Sequence, residues 1–381
     1  MAGTGKGRRG FRLRRAALCM TIGTALAAAA AACGTVAQTG QDGATVVAAQ
    51  SGTISEAGSS LLYPLMSSWA GAYQRQAPGV TVKTASTSSG KGIAAASMGT
   101  VDLGASDAYL SSGDLVKTPT LLNIPLVIAA QTVIYNLPDM STSDHVRLDG
   151  AVLAAIYQGT ITMWDDPRIA AINPHLTLPP IKIVPVYRSD MSGDTFLFTS
   201  YLSTGSQSAP DSQWNDTIGY GTTVAWPKVA GEVPAAGSVN VLHACESTPG
   251  CVAYNGISYL KQALAANLGE AELANYVGEY ELPTATAVQD SVASFVSLTP
   301  PNETISLIDG PAPDGYPIVN YEYAVVSTHQ PTAARASALK AFLTWLITTG
   351  NQPSYLGTYG FQPLPSALVT LGEQQIGEIG S

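Results

Sequence analysis

Short β-branched apolar runs alternate along the chain with longer stretches in which apolar residues recur every three or four positions. Residues 80–84, 101–105, 124–130, 133–135 and 181–187 read as strands. Leu62, Leu65, Met66, Trp69 and Tyr73 fall on one face of a helix, as do Leu339, Phe342, Leu343 and Leu346, and both faces suit core packing. Gly- and Pro-rich segments at 173–180, 299–302 and 309–317 mark loops. Strands alternating with helices predict an α/β architecture, and neither an internal repeat nor a heptad pattern interrupts it.

Three Ser/Gly clusters each stand directly before a helix-like stretch. They are Gly58-Ser59-Ser60 before 62–73, Ser88-Ser89-Gly90 before 93–98, and Asp190-Met191-Ser192-Gly193 before 196–202. A helix start carries unsatisfied N–H groups and about half a positive charge. Small hydroxylated residues there leave room for an anion and add O–H donors. Three such starts brought together would cage a small oxyanion.

Composition separates the first 33 residues from the rest. Arg8, Arg9, Arg12, Arg14 and Arg15 precede an Ala-rich apolar run to Ala32, the layout of an export signal, and the run is too short to favour a retained membrane span. Cys33 follows Ala30-Ala31-Ala32 and resembles a lipoprotein cleavage site, although Ala30 stands where Leu is usual; ordinary signal cleavage nearby is the alternative. Residues 34–50 lack periodicity and read as a tether. The remaining 348 residues are long enough for two domains. With the leader removed, 12 Lys/Arg face 27 Asp/Glu, a net charge of −15. That excludes nucleic acid as a partner and disfavours anionic lipid surfaces. A small anion is still compatible, because local dipoles act at contact range.

Two cysteines, Cys245 and Cys251, then remain, bracketing Pro249-Gly250. Outside the cytoplasm they most simply form a local disulfide; a redox pair or two metal ligands are the alternatives. The histidines (His145, His175, His243, His329) are scattered singly, without metal-ligand spacing. Ser89-Gly90-Lys91-Gly92 resembles a phosphate loop only superficially, since Gly92 stands where a magnesium-binding hydroxyl belongs. No serine sits in a nucleophile elbow. These absences predict a protein that is not an enzyme and has no metal or cofactor. In Arg188-Ser189-Asp190-Met191-Ser192-Gly193-Asp194-Thr195, by contrast, Arg188 can fork onto an oxyanion while Asp190 holds its guanidinium.

In order along the chain, these segments resemble the phosphate-binding protein of the bacterial phosphate-specific ABC transporter, the PstS family. The likeness runs through Ala57-Gly58-Ser59-Ser60, Ser88 to Ile93, Thr100 to Asp107, Ile156-Tyr157-Gln158-Gly159, Trp164 to Pro167, Asn173-Pro174, Arg188 to Thr195, and Phe361 to Pro365. The Ser192 to Phe198 stretch and the Cys245/Cys251 loop look like the lipid-anchored actinobacterial branch, mycobacterial versions included. The resemblance implies a two-lobed α/β fold of the periplasmic-binding-protein type II class, with two crossings and the ligand in the cleft. Residues 51–130 and 320–381 would form lobe I, and residues 131–319 lobe II. It implies phosphate held by Ser60, the N–H of Leu61, Ser89, Asp107, Arg188, Ser192, Gly193 and the N–H of Asp194, with Asp190 orienting Arg188. Asp194 replaces a frequent Thr, so that hydroxyl contact is expected to be lost or shifted to Thr195. Further implications are a monomer diacylated at Cys33 on the outer face of the cell membrane, and permease subunits as partners. A sulfate or molybdate binder, an exported phosphatase, and a structural surface protein are the competing readings.

Asp107 gives the implied site its selectivity. Phosphate near neutral pH keeps at least one P–OH, which an ionised carboxylate accepts, whereas sulfate has no proton to offer. Two bare unit charges 4 Å apart at an effective dielectric of 20 repel by about 4 kcal/mol. That is roughly a thousandfold in affinity.

Overall fold

The structure is a computed structural model that describes residues 52–205 and 214–381; the leader (1–33), the tether (34–50) and Cys33 lie outside the described residues. Nine strands are joined by hydrogen bonds, eight along one path and one beside it: β1 Gly52–Gly58, β2 Val80–Lys83, β3 Leu103–Ser106, β4 Leu121–Tyr135, β5 Val184–Arg188, β6 Val233–Ala235, β7 Cys251–Gly256, β8 Gly269–Glu270 and β9 Val319–Ser327. Their order is β2-β1-β3-β9-β4-β7-β5-β6, with β8 beside β4. Five helices matter for the site and its support: α1 Tyr63–Gln76, α2 Ser89–Ser97, α3 Gly193–Gly205, α4 Ser238–Glu246 and α5 Ala333–Ile347. This is the two-lobed α/β fold expected of the periplasmic-binding-protein class.

The long β4 organises the path. Leu121 to Ala130 pair antiparallel with β9, and Gln131 to Tyr135 pair antiparallel with β7. The two separate strands expected at 124–130 and 133–135 are therefore one. The intervening Gln131 and Thr132 interrupt the apolar pattern, yet both are fully buried and hydrogen-bonded: Gln131 Nε2 donates to Asp194, and Thr132 Oγ1 donates to the Asn255 carbonyl. The strands expected at 80–84, 101–105 and 181–187 appear as β2, β3 and β5, each displaced by no more than three residues at either end.

Pro64 suits the first turn of α1, where a missing N–H is harmless. Leu65, Met66, Trp69 and Tyr73 are buried against Phe342, Leu343 and Leu346 of α5, so the two helical stripes expected from sequence meet in one core. Tyr73 lies 4.9 Å from the Phe342 ring. A second apolar cluster surrounds the Cys245–Cys251 disulfide, which links the last turn of α4 to the start of β7. Of the three states left open for these cysteines, the structure shows the disulfide.

Candidate functional site

Strand ends and helix starts converge around Asp107. Gly58 closes β1 at φ +155°, where a Cβ would lie 2.0 Å from the Ala105 carbonyl, so only glycine lets β1 run this close to β3. The chain then turns into α1. Ser59 Oγ donates to Asp107 Oδ1 and accepts from the Leu62 N–H at 2.9 Å. Asp107, one residue beyond β3, is 2% exposed, and its N–H donates to Ser89 Oγ at the start of α2, 3.2 Å away. Ser88 caps α2 by accepting from the Lys91 N–H.

The start of α3 faces these groups from the other side. A Cβ on Gly193 would lie 2.4 Å from Asp107 Oδ2 and 2.5 Å from Ser89 Oγ, so no side chain fits there without movement. The Gly90 N–H donates to the Met191 carbonyl at 3.0 Å, tying α2 to the turn before α3. Ser192 is buried, and its hydroxyl is without a hydrogen-bond partner among the described residues.

Arg188, at the end of β5 and 2% exposed, is held in a two-pronged grip. Nε donates to Asp190 Oδ1 at 2.7 Å and Nη2 to Asp190 Oδ2 at 2.5 Å. Nη1 turns inward to Asp194 Oδ2, to Ser60 Oγ at 3.1 Å and to Ser238 Oγ at 3.3 Å. Burial works against the Arg188 charge, but its bonds and charge contacts with Asp190 and Asp194 outweigh that and raise its pKa further. Asp190 is half-buried, yet Arg188 and the Gly237 N–H hold its carboxyl below the usual range. Burial pushes Asp194 up to about 6, with the charge of Asp107 adding to the rise and Arg188 opposing it.

Most of the expected residues thus come together: Ser60, Ser89, Asp107, Arg188, Gly193 and Asp194, with Asp190 behind Arg188. Leu61 is fully buried beside them, and its carbonyl accepts from Ser258 Oγ at 2.7 Å. Of the two outcomes expected for the hydroxyl contact of position 194, loss or a shift to Thr195, the geometry favours loss: the Thr195 hydroxyl bonds Tyr254 Oη at 2.8 Å, because the next position on a helix is turned about 100° away.

Four contributions go beyond the sequence reading. Asp194 contributes its carboxylate as well as its backbone, and Ser238 Oγ donates to Asp194 Oδ2 at 3.0 Å. Ser238 starts α4, and Gly237-Ser238 ahead of Val241, Leu242 and Cys245 repeats the pattern of the other clusters in shorter form. Ser59 belongs to the first Ser/Gly cluster, in which the resemblance assigns the functional hydroxyl to its neighbour Ser60. Gln131 completes the shell, donating to Asp194 Oδ1 at 3.0 Å.

Chemically, the arrangement presents fixed donors to negatively charged oxygen. Asp194 Oδ2 already accepts from Arg188 and Ser238 as an oxyanion would. No group of His, Cys, Asp and Glu among the described residues could hold a metal ion.

The PBP superfamily domain matches residues 43–349. A phosphate-binding protein PstS of Methanocaldococcus jannaschii is 34% identical over 328 residues, 80% of each chain. One from Mycobacterium bovis is 31% identical over 339 residues, 86% of this chain and 87% of its own. Among solved structures, a high-affinity periplasmic phosphate-binding protein bound with phosphate superposes with a TM-score of 0.66 at 22% identity, covering 86% of this chain and 99% of that one.

Proposed function

The chain belongs to the PBP superfamily and, within it, to the PstS family of phosphate-binding proteins, and on that premise we propose that it captures inorganic phosphate outside the cytoplasm and delivers it to the permease of an ABC importer. It binds its ligand without transforming it and uses no cofactor. The observation that carries this reading is Arg188: a buried guanidinium locked by Asp190, whose inward edge meets Asp194, Ser60 and Ser238. Phosphate takes donors from Arg188, Ser60, Ser89 and Ser192 and from the N–H groups of Leu61, Gly193 and Asp194. Asp107 accepts its P–OH and repels sulfate.

Residues 51–130 and 320–381 form lobe I in this reading, and 131–319 lobe II. The change of partner along β4 between Ala130 and Gln131 supports that division. The protein works as a monomer anchored by a diacylated Cys33, since two acyl chains hold where one would be marginal. Replacing Cys33 by Ser should release the protein or leave its leader attached; membrane retention after correct cleavage would count against the anchor.

Native mass spectrometry of the purified chain, followed by calorimetric titration with phosphate and sulfate, tests the function. A retained phosphate mass and selective phosphate binding are expected. Equal affinity for sulfate would move the reading to a general oxyanion binder, and turnover of a chromogenic phosphate ester would make the protein a phosphatase.

A further inference from the structure

Glu322 lies behind Asp107, fully buried in β9. β9 pairs antiparallel with β3 through Tyr323 opposite Ser106 and Ala324 opposite Ala105; Glu322 and Asp107 each stand one residue beyond the last pair of that ladder, and their carboxyl groups lie within hydrogen-bonding reach of each other. The register of β9 against β4 also shifts between Glu322 and Tyr323, the kind of irregularity that re-aims a side chain. Asn320 Nδ2 donates to Glu322 Oε1 at 2.8 Å and approaches the Asp107 carbonyl at 3.4 Å, so one amide braces both residues. Glu322 Oε2 is buried and receives no hydrogen bond from a donor among the described residues.

Two facing carboxyl groups can bond each other only through a proton, and two like charges so close in a buried site repel strongly. Resting on the phosphate reading above, we propose that Glu322 is a positioning residue: it stays protonated, donates its O–H to Asp107, and so keeps Asp107 ionised and aimed to accept the P–OH of the ligand. Burial drives Glu322 well above the usual carboxylate range; Asp107 and, farther off, Asp194 reinforce this, and the Asn320 bond opposes it. The nearest cation, Arg188, is already paired with Asp190 and Asp194. Val127 of β4 is apolar, Tyr323 is the next residue of the strand, and Lys91 of α2 and Asp290 of the helix Ala285–Ala293 are both exposed.

The consequence is that the proton which decides between phosphate and sulfate is placed by a residue that does not touch the ligand. Glu322→Met removes the donor, so Asp107 takes up a proton more readily and can then donate to sulfate. Calorimetric titration of both anions as a function of pH reads this directly. In Glu322→Met the pH below which sulfate binds should rise by about one unit or more, the size of shift that loss of a hydrogen bond to a charged group produces. Glu322→Gln keeps a neutral donor and should return that limit close to the parent's, with a phosphate loss of no more than about threefold. Equal weakening of both anions in Glu322→Met, with the sulfate limit unmoved, would make Glu322 a packing residue and overturn the proposal. So would a more than tenfold change in phosphate-over-sulfate preference in Glu322→Gln, because the proton would then reside on Asp107. If Glu322→Met does not fold, the Glu322→Gln result decides alone. A parent chain that binds neither anion at any pH overturns the phosphate reading and this proposal with it.

Discussion

Gly193→Ala adds one methyl group at the tightest point of the proposed site. The new Cβ would lie 2.4 Å from Asp107 Oδ2, 2.5 Å from Ser89 Oγ and 2.6 Å from Asp107 Cβ. Ordinary non-bonded separations are about 3.5–4.0 Å, so the start of α3 must retreat by roughly 1 Å from Asp107 and α2. Asp107 cannot easily give way, because Ser59, Ser89 and the Asn320 contact fix its carboxyl and backbone. A retreat of that size stretches a hydrogen bond of about 2.9 Å past its useful limit for any ligand spanning both sides. One charge-assisted bond lost costs about 1.5–3 kcal/mol. Phosphate affinity should therefore fall by about ten- to a hundredfold, at 1.4 kcal/mol per tenfold.

Fold stability should change much less, because Ala favours a helix over Gly by up to about 1 kcal/mol and offsets part of the strain. Isothermal titration with phosphate, paired with thermal melts without added phosphate, separates the two effects. Gly377→Ala is the control: Gly377 ends the helix Ser366–Gly377, and a Cβ there meets nothing within 4 Å. Parental affinity in Gly193→Ala, within about threefold, would show that phosphate does not bridge α3 and Asp107 and would refute the assembled cage. A collapse of melting temperature in step with affinity would show that the glycine serves the fold instead.

Other expectations follow from the same geometry. Asp107→Asn should weaken the preference for phosphate over sulfate more than phosphate binding itself, since the amide still accepts from P–OH while its NH2 donates to sulfate; unaltered sulfate rejection in calorimetry would remove the selectivity role of Asp107. Arg188→Ala should weaken both anions by about 2–5 kcal/mol, because it also leaves Asp190 and Asp194 without their cation, and titration with each anion checks the parallel loss. Glu56, on β1, is pushed up to about 8 by burial, with a backbone bond to Ala85 opposing the rise. The folded chain therefore binds more protons than the unfolded chain between pH 4.5 and about 8, and stability must fall as pH rises through that window. Glu56→Gln should melt a few degrees higher than the parent at pH 9 but not at pH 4, and parallel melting curves at both pH values would contradict this.

Periodicity revealed the scaffold where burial has one face. The α1 and α5 stripes pack together as read, and the serine clusters become helix starts. The reading failed where polarity serves the site. Gln131 and Thr132 break the apolar run of β4, so one strand of 15 residues looked like two. Nothing local separates Ser59 from Ser60: one serves Asp107 and the other Arg188, a division set by β3 and β5, which are distant in sequence. Nothing local marks Glu322, because its partner is 215 positions away and only the pairing of β9 with β3 brings them together. Asp194 was read for its backbone because it replaces a hydroxyl residue, whereas its carboxylate reaches Arg188, Ser238 and Gln131.

The convergence of helix starts explains why so many acids surround a site proposed for an anion. α1, α2, α3 and α4, of 14, 9, 13 and 9 residues, all point their first turns at one small volume. Each start carries about half a positive charge, and four of them repel one another unless negative charge lies between. Asp107 and Asp194 lie there, and Asp190 neutralises Arg188 from outside. The carboxylates therefore help the fold tolerate its own dipoles. An incoming anion finds donors already oriented but few net positive charges, so its recognition depends on hydrogen-bond direction and on where protons lie. Affinity built in this way should respond weakly to salt, since dipoles at contact range act within the screening length. It should respond strongly to the loss of a single donor or acceptor. For that reason a carboxylate at position 107 and a methyl group at position 193 carry more consequence than any change in the overall charge of the chain.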